Sequence, residues 1–290
     1  MGETHIFFIR HGESVDNVSH GHAGPPDSPL TAHGAIQSSR LAVHLAERAG
    51  SLAPVPHMLC SDFQQARMTA EVIRDAYPSP AAGSTSTVKP EIAILQLAEL
   101  REKRFGERSA EISGSEAAAQ PGGGAYTEGE SFKEVDARAK RFLDAVLLPL
   151  LEELLTSDTP QYVFIIAHGV IHSHVWLGFI RLLRALRPRT TSAPGAMCLE
   201  SVPLDEFLGS AAYHEIVLKT PTLSSEASSS SQSGGAGSID QALSTAQIHL
   251  SAINYAGHLS GLRKTGGGIG NAKYDTKQRK IDSFFSKSSA

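Results

Sequence analysis

The stretch Phe7-Phe8-Ile9-Arg10-His11-Gly12-Glu13-Ser14 is an apolar run cut off by a guanidinium, an imidazole and a glycine. Far down the chain, Tyr162-Val163-Phe164-Ile165-Ile166-Ala167-His168-Gly169 ends in nearly the same way. Runs this short and apolar, bounded by glycine, read as buried strands. In open parallel sheets ligands bind outside the carboxyl ends of the strands, so His11 and His168 stand where a site is expected.

The rest of the pattern supplies a frame for those two ends. Further apolar or alternating segments at 57–60, 92–97, 197–204, 214–218 and 248–253 read as strands, with helical patterns between them. One helix follows Thr31, a plausible N-cap, and places Ile36, Leu41, Leu45 and Val43 on or near one face. A second opens after Ser61-Asp62, both good caps, and runs to Tyr77-Pro78. A third starts near Ser131, carries Phe132, Val135, Phe142 and Val146, and is expected to bend at Pro149; a fourth covers 172–186. Alternating strands and helices predict an α/β fold, a three-layer αβα sandwich around a mostly parallel central sheet.

The chemistry follows from the residue types. Arg10 is a permanent, bidentate donor suited to phosphate oxygens. An imidazole can attack phosphorus, and neighbouring cations can spread the charge of a phosphoryl group in transfer. Glycine after each histidine suits a sharp turn or close approach to a ligand.

Arg10-His11-Gly12-Glu13-Ser14, with Asn17 beyond it, resembles the signature of the histidine phosphatase superfamily, the phosphoglycerate-mutase-like proteins. The likeness continues through Asp27-Ser28-Pro29-Leu30-Thr31-Ala32-His33-Gly34 with Gln37, then Ser61-Asp62-Phe63, Leu100-Arg101-Glu102, Gly129-Glu130-Ser131, Ala167-His168-Gly169, and Asn254 with His258-Leu259. The resemblance implies a phosphatase working without a cofactor or metal. It makes His11 the nucleophile and Glu102 the general acid, for which burial or a like charge should keep a proton on the carboxyl. Arg10 and His168 would hold the transferring phosphoryl group, with Ser14 and Asn17 adding neutral hydrogen bonds. The region around His11 and the run 100–106 do not match the longer motifs of true cofactor-dependent mutases, which favours hydrolysis.

The pattern breaks at Ser61-Asp62-Phe63-Gln64-Gln65-Ala66-Arg67, where the family usually has an arginine in the phosphate pocket and this chain has Gln65. Arg67 is two residues on, about 200° around a helix, and is expected to face away as a surface charge. Losing a charged donor of this kind costs about 3 kcal/mol of transition-state stabilisation. A slowed phosphatase and a phosphatase-like interaction protein are therefore both open. Ser109-Ala110 is a second departure, where the family often has Glu-Gly.

Residues 1–262 are expected to form the phosphatase-like domain, with low-complexity insertions near 113–127 and 221–238, and 263–290 a basic flexible tail. Within the tail, Gln278-Arg279-Lys280-Ile281-Asp282-Ser283-Phe284-Phe285 resembles the box that binds the replication sliding clamp (PCNA). A single helical turn would put Ile281, Phe284 and Phe285 on one side as an apolar plug, with Gln278 in a small polar pocket. The net charge of −4 gives no global field for nucleic acid or an anionic membrane. No apolar run approaches the roughly 20 residues of a membrane span, and two cysteines fit a reducing compartment, hence a cytoplasmic or nuclear location. His168, His172 and His174 have the wrong intervening residue, Gly169, for a zinc-protease helix and offer no third ligand.

Overall fold

The computed structural model describes residues 2–19, 27–50, 55–78, 92–106, 128–186, 202, 207–219, 239–264 and 268–275. Six strands form one sheet: β1 (Glu3–Arg10), β2 (His57–Ser61), β3 (Ile94–Leu97), β4 (Gln161–Ala167), β5 (Tyr213–Lys219) and β6 (Gln247–Tyr255), in the order β3-β2-β4-β1-β5-β6. The pairs among β1 to β4 are parallel, and β5 runs antiparallel to both β1 and β6. The expected strand at 197–204 lies outside the described residues apart from Val202, as do both low-complexity segments and residues 109, 110 and 278–285.

Helices cover both faces, giving the expected three layers. Phe7, Ile9, Met58, Cys60, Phe164 and Ile166 pack under α2 (Ala32–Ala49) and α3 (Gln64–Ala76). The alternate residues Ile6, Phe8, Leu59, Val163 and Ile165 pack on α4 (Phe132–Phe142), α5 (Leu148–Leu154), α6 (Gly169–Leu186) and α7 (Ile239–Thr245). A short α1 (Val15–Val18) follows the first motif. The alternation along β1 and β4 is what a sheet buried on both sides requires, each successive side chain serving a different layer.

Several local expectations change. Thr31 does cap α2, accepting the Gly34 N–H at 3.0 Å, but only Leu41 and Leu45 of the four named apolar residues are buried; Ile36 and Val43 are 49% and 52% exposed. At 100° per residue, positions 36 and 43 lie on the far side of the stripe made by 38, 41, 42 and 45. Neither Ser61 nor Asp62 caps α3. Phe63 holds the cap position, and the Gln64 N–H is taken by Asp27 Oδ1 at 2.6 Å from a distant loop. Ser131 caps α4 in a box with Glu134, but Phe132 is 62% exposed. α4 runs without a break through a π-helical turn at Leu143–Leu147 into α5, and Pro149, which has no N–H to give the preceding turn, stands two residues after that irregularity, so the helical ladder changes close to the expected bend.

Gly12 works differently from its expected role beside a ligand. A Cβ there would lie 2.5 Å from both Gly34 O and Ser38 Oγ, and one on Gly34 would lie 1.9 Å from Glu13 O. The two glycines let the loop after β1 rest backbone to backbone on the start of α2. Thr31 N–H donates to Glu13 O and Val15 N–H to Pro29 O, fastening the contact. Gly34→Ala is expected to destabilise the protein by about 1–3 kcal/mol through overpacking, whereas a Cβ on Gly169 would meet Arg10 no closer than 3.5 Å. Urea unfolding of Gly34→Ala and Gly169→Ala should separate the two, with only the first losing stability.

Candidate active site

β1 and β4 lie side by side in register, Arg10 opposite Ala167, so the residues that follow them emerge together. The His11 N–H donates to Ala167 O at 3.0 Å. The two imidazoles meet edge to face, ring centroids 4.9 Å apart, and both are almost fully buried. His11 Nδ1–H donates to Gly12 O at 2.6 Å, which fixes the tautomer and leaves Nε2 as the bare lone pair. Burial first, then the charge of Arg10, push the His11 pKa down to about 3 against the opposing bond to Gly12. His168 is lowered well below the ordinary value, by burial and then by His11. Its Nε2 pairs with Ser61 Oγ at 2.9 Å, and the edge of Phe63 covers it with centroids 5.5 Å apart.

Arg10 reaches across the start of α6, its guanidinium carbon 3.5 Å from where a Cβ on Gly169 would lie. Nη1 donates to Leu208 O at 2.8 Å, while the buried Nε has no hydrogen-bond partner among the described residues. Burial lowers its pKa and the nearby Glu102 carboxylate opposes that. Glu102 is half-buried and accepts three backbone N–H groups: Lys103 at 2.9 Å, Val170 at 3.2 Å and Ile171 at 3.3 Å. The surroundings expected for it, apolar atoms or a like charge, are not what the fold provides; donors from the first turn of α6 and the Arg10 cation surround it.

The remaining expected pocket residues are distributed unevenly. Ser14 is buried, and its N–H donates to Asn17 Oδ1 at 3.0 Å, so the carbonyl end of Asn17 is turned onto its own loop. Gln65 is buried in the first turn of α3. It shares a face with Thr69 one turn on, which accepts the Gly12 N–H at 3.2 Å. Gln65 thus looks toward the His11 loop, while Arg67, 43% exposed, pairs with Glu71 as a surface charge should. His172 and His174 stay apart from the site's chemistry: His172 Nε2–H donates to Ile9 O inside the core, and His174 pairs with Asp136 on the surface.

Several positioning groups carry no sequence signal of their own. Thr69 also donates to Gln65 O at 2.8 Å and lies 3.3 Å from Ser38 Oγ, tying α2, α3 and the His11 loop together. Arg138 makes a two-pronged pair with Glu130 and donates to the carbonyls of Glu99 and Arg101, gripping the segment that leads into Glu102. Arg101 clamps Asp62 and lies over the Phe63 ring. The Gly129-Glu130-Ser131 run is the one available hint, and its role as a strut depends on Arg138, eight residues beyond Glu130.

The site is a buried pair of imidazoles beside a guanidinium, at the carboxyl ends of two adjacent parallel strands of an α/β sheet. The chain belongs to the histidine phosphatase superfamily (branch 1), whose model matches residues 6–182. It is 30% identical over 173 residues to "Probable phosphoglycerate mutase GpmB" of Yersinia enterocolitica, covering 57% of this chain and 69% of that one. The protein of the same name from Erwinia tasmaniensis is 31% identical over 144 residues, 49% of this chain and 62% of its own. In fold it is similar to "Mycobacterial hydrolase 1" (TM-score 0.54, 20% identity, 87% of this chain and 98% of that one). A mycobacterial glucosyl-3-phosphoglycerate phosphatase is comparable (TM-score 0.51, 19% identity, 87% and 99%).

Burial of neutral imidazoles has a consequence for stability. His11 and His172 are held down to about 3, and His214 and His258 to about 4, burial being the first cause in each. Between those values and the unfolded value near 6.5 the unfolded chain binds protons that the native chain does not, so stability falls as pH drops. Urea midpoints should be level above about pH 7 and decline from roughly pH 6.5 toward 4. His172→Asn, if it folds, should flatten part of that slope.

Proposed function

We propose that this chain is a phosphoric-ester hydrolase acting through a phosphohistidine at His11. The observation that carries the proposal is the state of that ring: buried, neutral, with Nδ1–H committed to Gly12 O and Nε2 bare beside His168. Nε2 attacks phosphorus and the P–O bond to the leaving group breaks. The proton of the monoanionic ester passes by way of Glu102 to the departing oxygen, and Glu102 then takes one from the water that cleaves the N–P bond. Arg10 and His168 hold the phosphoryl oxygens, aided by the free donor capacity of the guanidinium. Ser14, Asn17 and Gln65 contribute neutral contacts only, so the site has one guanidinium where the family pattern has two. Phosphate esters of small molecules or of proteins fit this chemistry; the name of the bacterial relatives is the support for a phosphoglycerate mutase, the least favoured of the readings.

Incubation with a phosphate donor and acid-stable versus acid-labile phosphoamino acid analysis should yield a phosphohistidine that disappears in His11→Ala. Hydrolysis of p-nitrophenyl phosphate should be slow in the wild type and rise about tenfold to a hundredfold in Gln65→Arg, the reverse of deleting such a donor. Turnover in His11→Ala equal to wild type would sink the mechanism.

A second reading is that a weakened phosphatase domain is tethered to the sliding clamp through 278–285. Its support is the match at Gln278, Ile281, Phe284 and Phe285 together with Gln65 in the pocket. Lys277, Arg279, Lys280 and Lys287 would suit an acidic partner surface. A peptide of residues 275–290 should bind PCNA by calorimetry, and Phe284→Ala with Phe285→Ala should remove the signal. No heat at high micromolar peptide would dispose of this reading.

A further inference from the structure

The pairing of β5 with β6 slips beside the site. Tyr213 faces Tyr255 and Glu215 faces Ala252, so β6 carries one residue more than its partner over this interval, a β-bulge. Asn254 stands in the bulge with φ 45°, a left-handed conformation that asparagine tolerates better than most residues. Its N–H, removed from the ladder, donates to Nδ1 of the buried His214 at 3.0 Å, and that ring stacks on Trp176. The bulge aims Asn254 Oδ1 at the Gly209 N–H, 3.0 Å away. Four residues on, His258 Nε2–H donates to Ala211 O at 2.9 Å.

Both contacts land on the turn at 207–212, which holds Ala211 at φ 57°, a conformation unfavourable for alanine. That turn touches the Arg10-His11 pair at three points. Leu208 O accepts from Arg10 Nη1 at 2.8 Å, Ala212 O accepts the Arg10 N–H at 3.1 Å, and the Ala211 N–H donates to His11 O at 3.1 Å. The guanidinium is anchored to Leu208 O, so its direction depends on where this turn stands.

We infer that Asn254 and His258 are positioning residues that set the aim of Arg10 and the backbone of His11 through the 207–212 turn. The inference rests on the reading of Arg10 and His11 as the phosphoryl-handling pair. It gives the Asn254…His258 pattern a physical role, since a strained turn stays in place when two side chains from the neighbouring strand and the turn after it hold it. A mere packing role would be indifferent to which polar atom each side chain offers.

The test uses the full chain and two readouts. The Arg10 Nε–H resonance reports guanidinium position whether or not the protein turns over substrate, and p-nitrophenyl phosphate hydrolysis, split into kcat and KM, reports catalysis. Asn254→Gly keeps the left-handed backbone and removes the acceptor; Asn254→Asp restores an oxygen at the same place. His258→Leu removes the donor, and His258→Gln returns one near the Nε2 position. Asn254→Gly and His258→Leu should shift or broaden the resonance and lower kcat/KM roughly tenfold, as small misplacements in an active site do. Asn254→Asp and His258→Gln should recover most of both. All four variants behaving alike, or the first two matching wild type in both readouts, would overturn the inference. Wild type without turnover would overturn the hydrolase reading instead, and the resonance pattern would still decide the brace.

Discussion

Everything at the site depends on the register of two adjacent parallel strands. β1 and β4 pair over seven positions, from Thr4 opposite Gln161 to Arg10 opposite Ala167, and both strands stop at the same height. A slip of one residue would exchange the two faces of the strand. A slip of two would move one histidine by about 6.6 Å, more than the 4.9 Å that separates the rings. The core prevents both. Phe7 packs edge-on against Phe164 and Tyr213 in one layer, while Phe8 packs on Trp176 in the other. The same alternation that buries both faces of the sheet therefore fixes where two imidazoles arrive.

The dryness of the pocket decides the charge state of what arrives. His11 and His168 are neutral because burial penalises imidazolium, and Arg10 sharpens that penalty. Arg10 stays charged, balanced by a carboxylate that α6 holds on its first turn. Its hydrogen-bonding capacity is only partly used, which is the condition under which an oxyanion is worth most to a buried guanidinium. Around this pair the loops are tied by hydroxyls: Thr69 to Gly12, Thr31 to Glu13 and Gly34, Ser38 to Gly34.

The residues proposed to carry chemistry are legible in the sequence because each follows closely on the end of an element. His11 and His168 close apolar runs, and Glu102 follows a strand and a short 3-10 turn (Ala98–Leu100). The central layer is legible too, since the middle of β1 and of β4 is continuously apolar. What stays hidden depends on partners far away in sequence. Asp27 caps α3 from 37 residues upstream, Gly12 is explained only by Gly34, and Glu130 only by Arg138. Ile36 and Val43 mislead because α2 is amphipathic in small residues, Ser38 and Ala42 sharing the buried stripe with the leucines. A bulge leaves no trace in a pattern of period two, so the sequence matches Asn254 to a motif without saying what it holds.

The described segment after β6 reaches back to the beginning. Ala272 O accepts the Ala32 N–H, Tyr274 N–H donates to Leu30 O, and Lys264 pairs with Glu13 at 2.7 Å. The segment from 268 to 275 is thereby sewn onto the very loops that follow β1. From Asp275 to Gln278 is three residues, a leash of at most about 11 Å when fully drawn out. Whatever holds Gln278 therefore stays within that reach of Asp275, and so near the loops that leave β1.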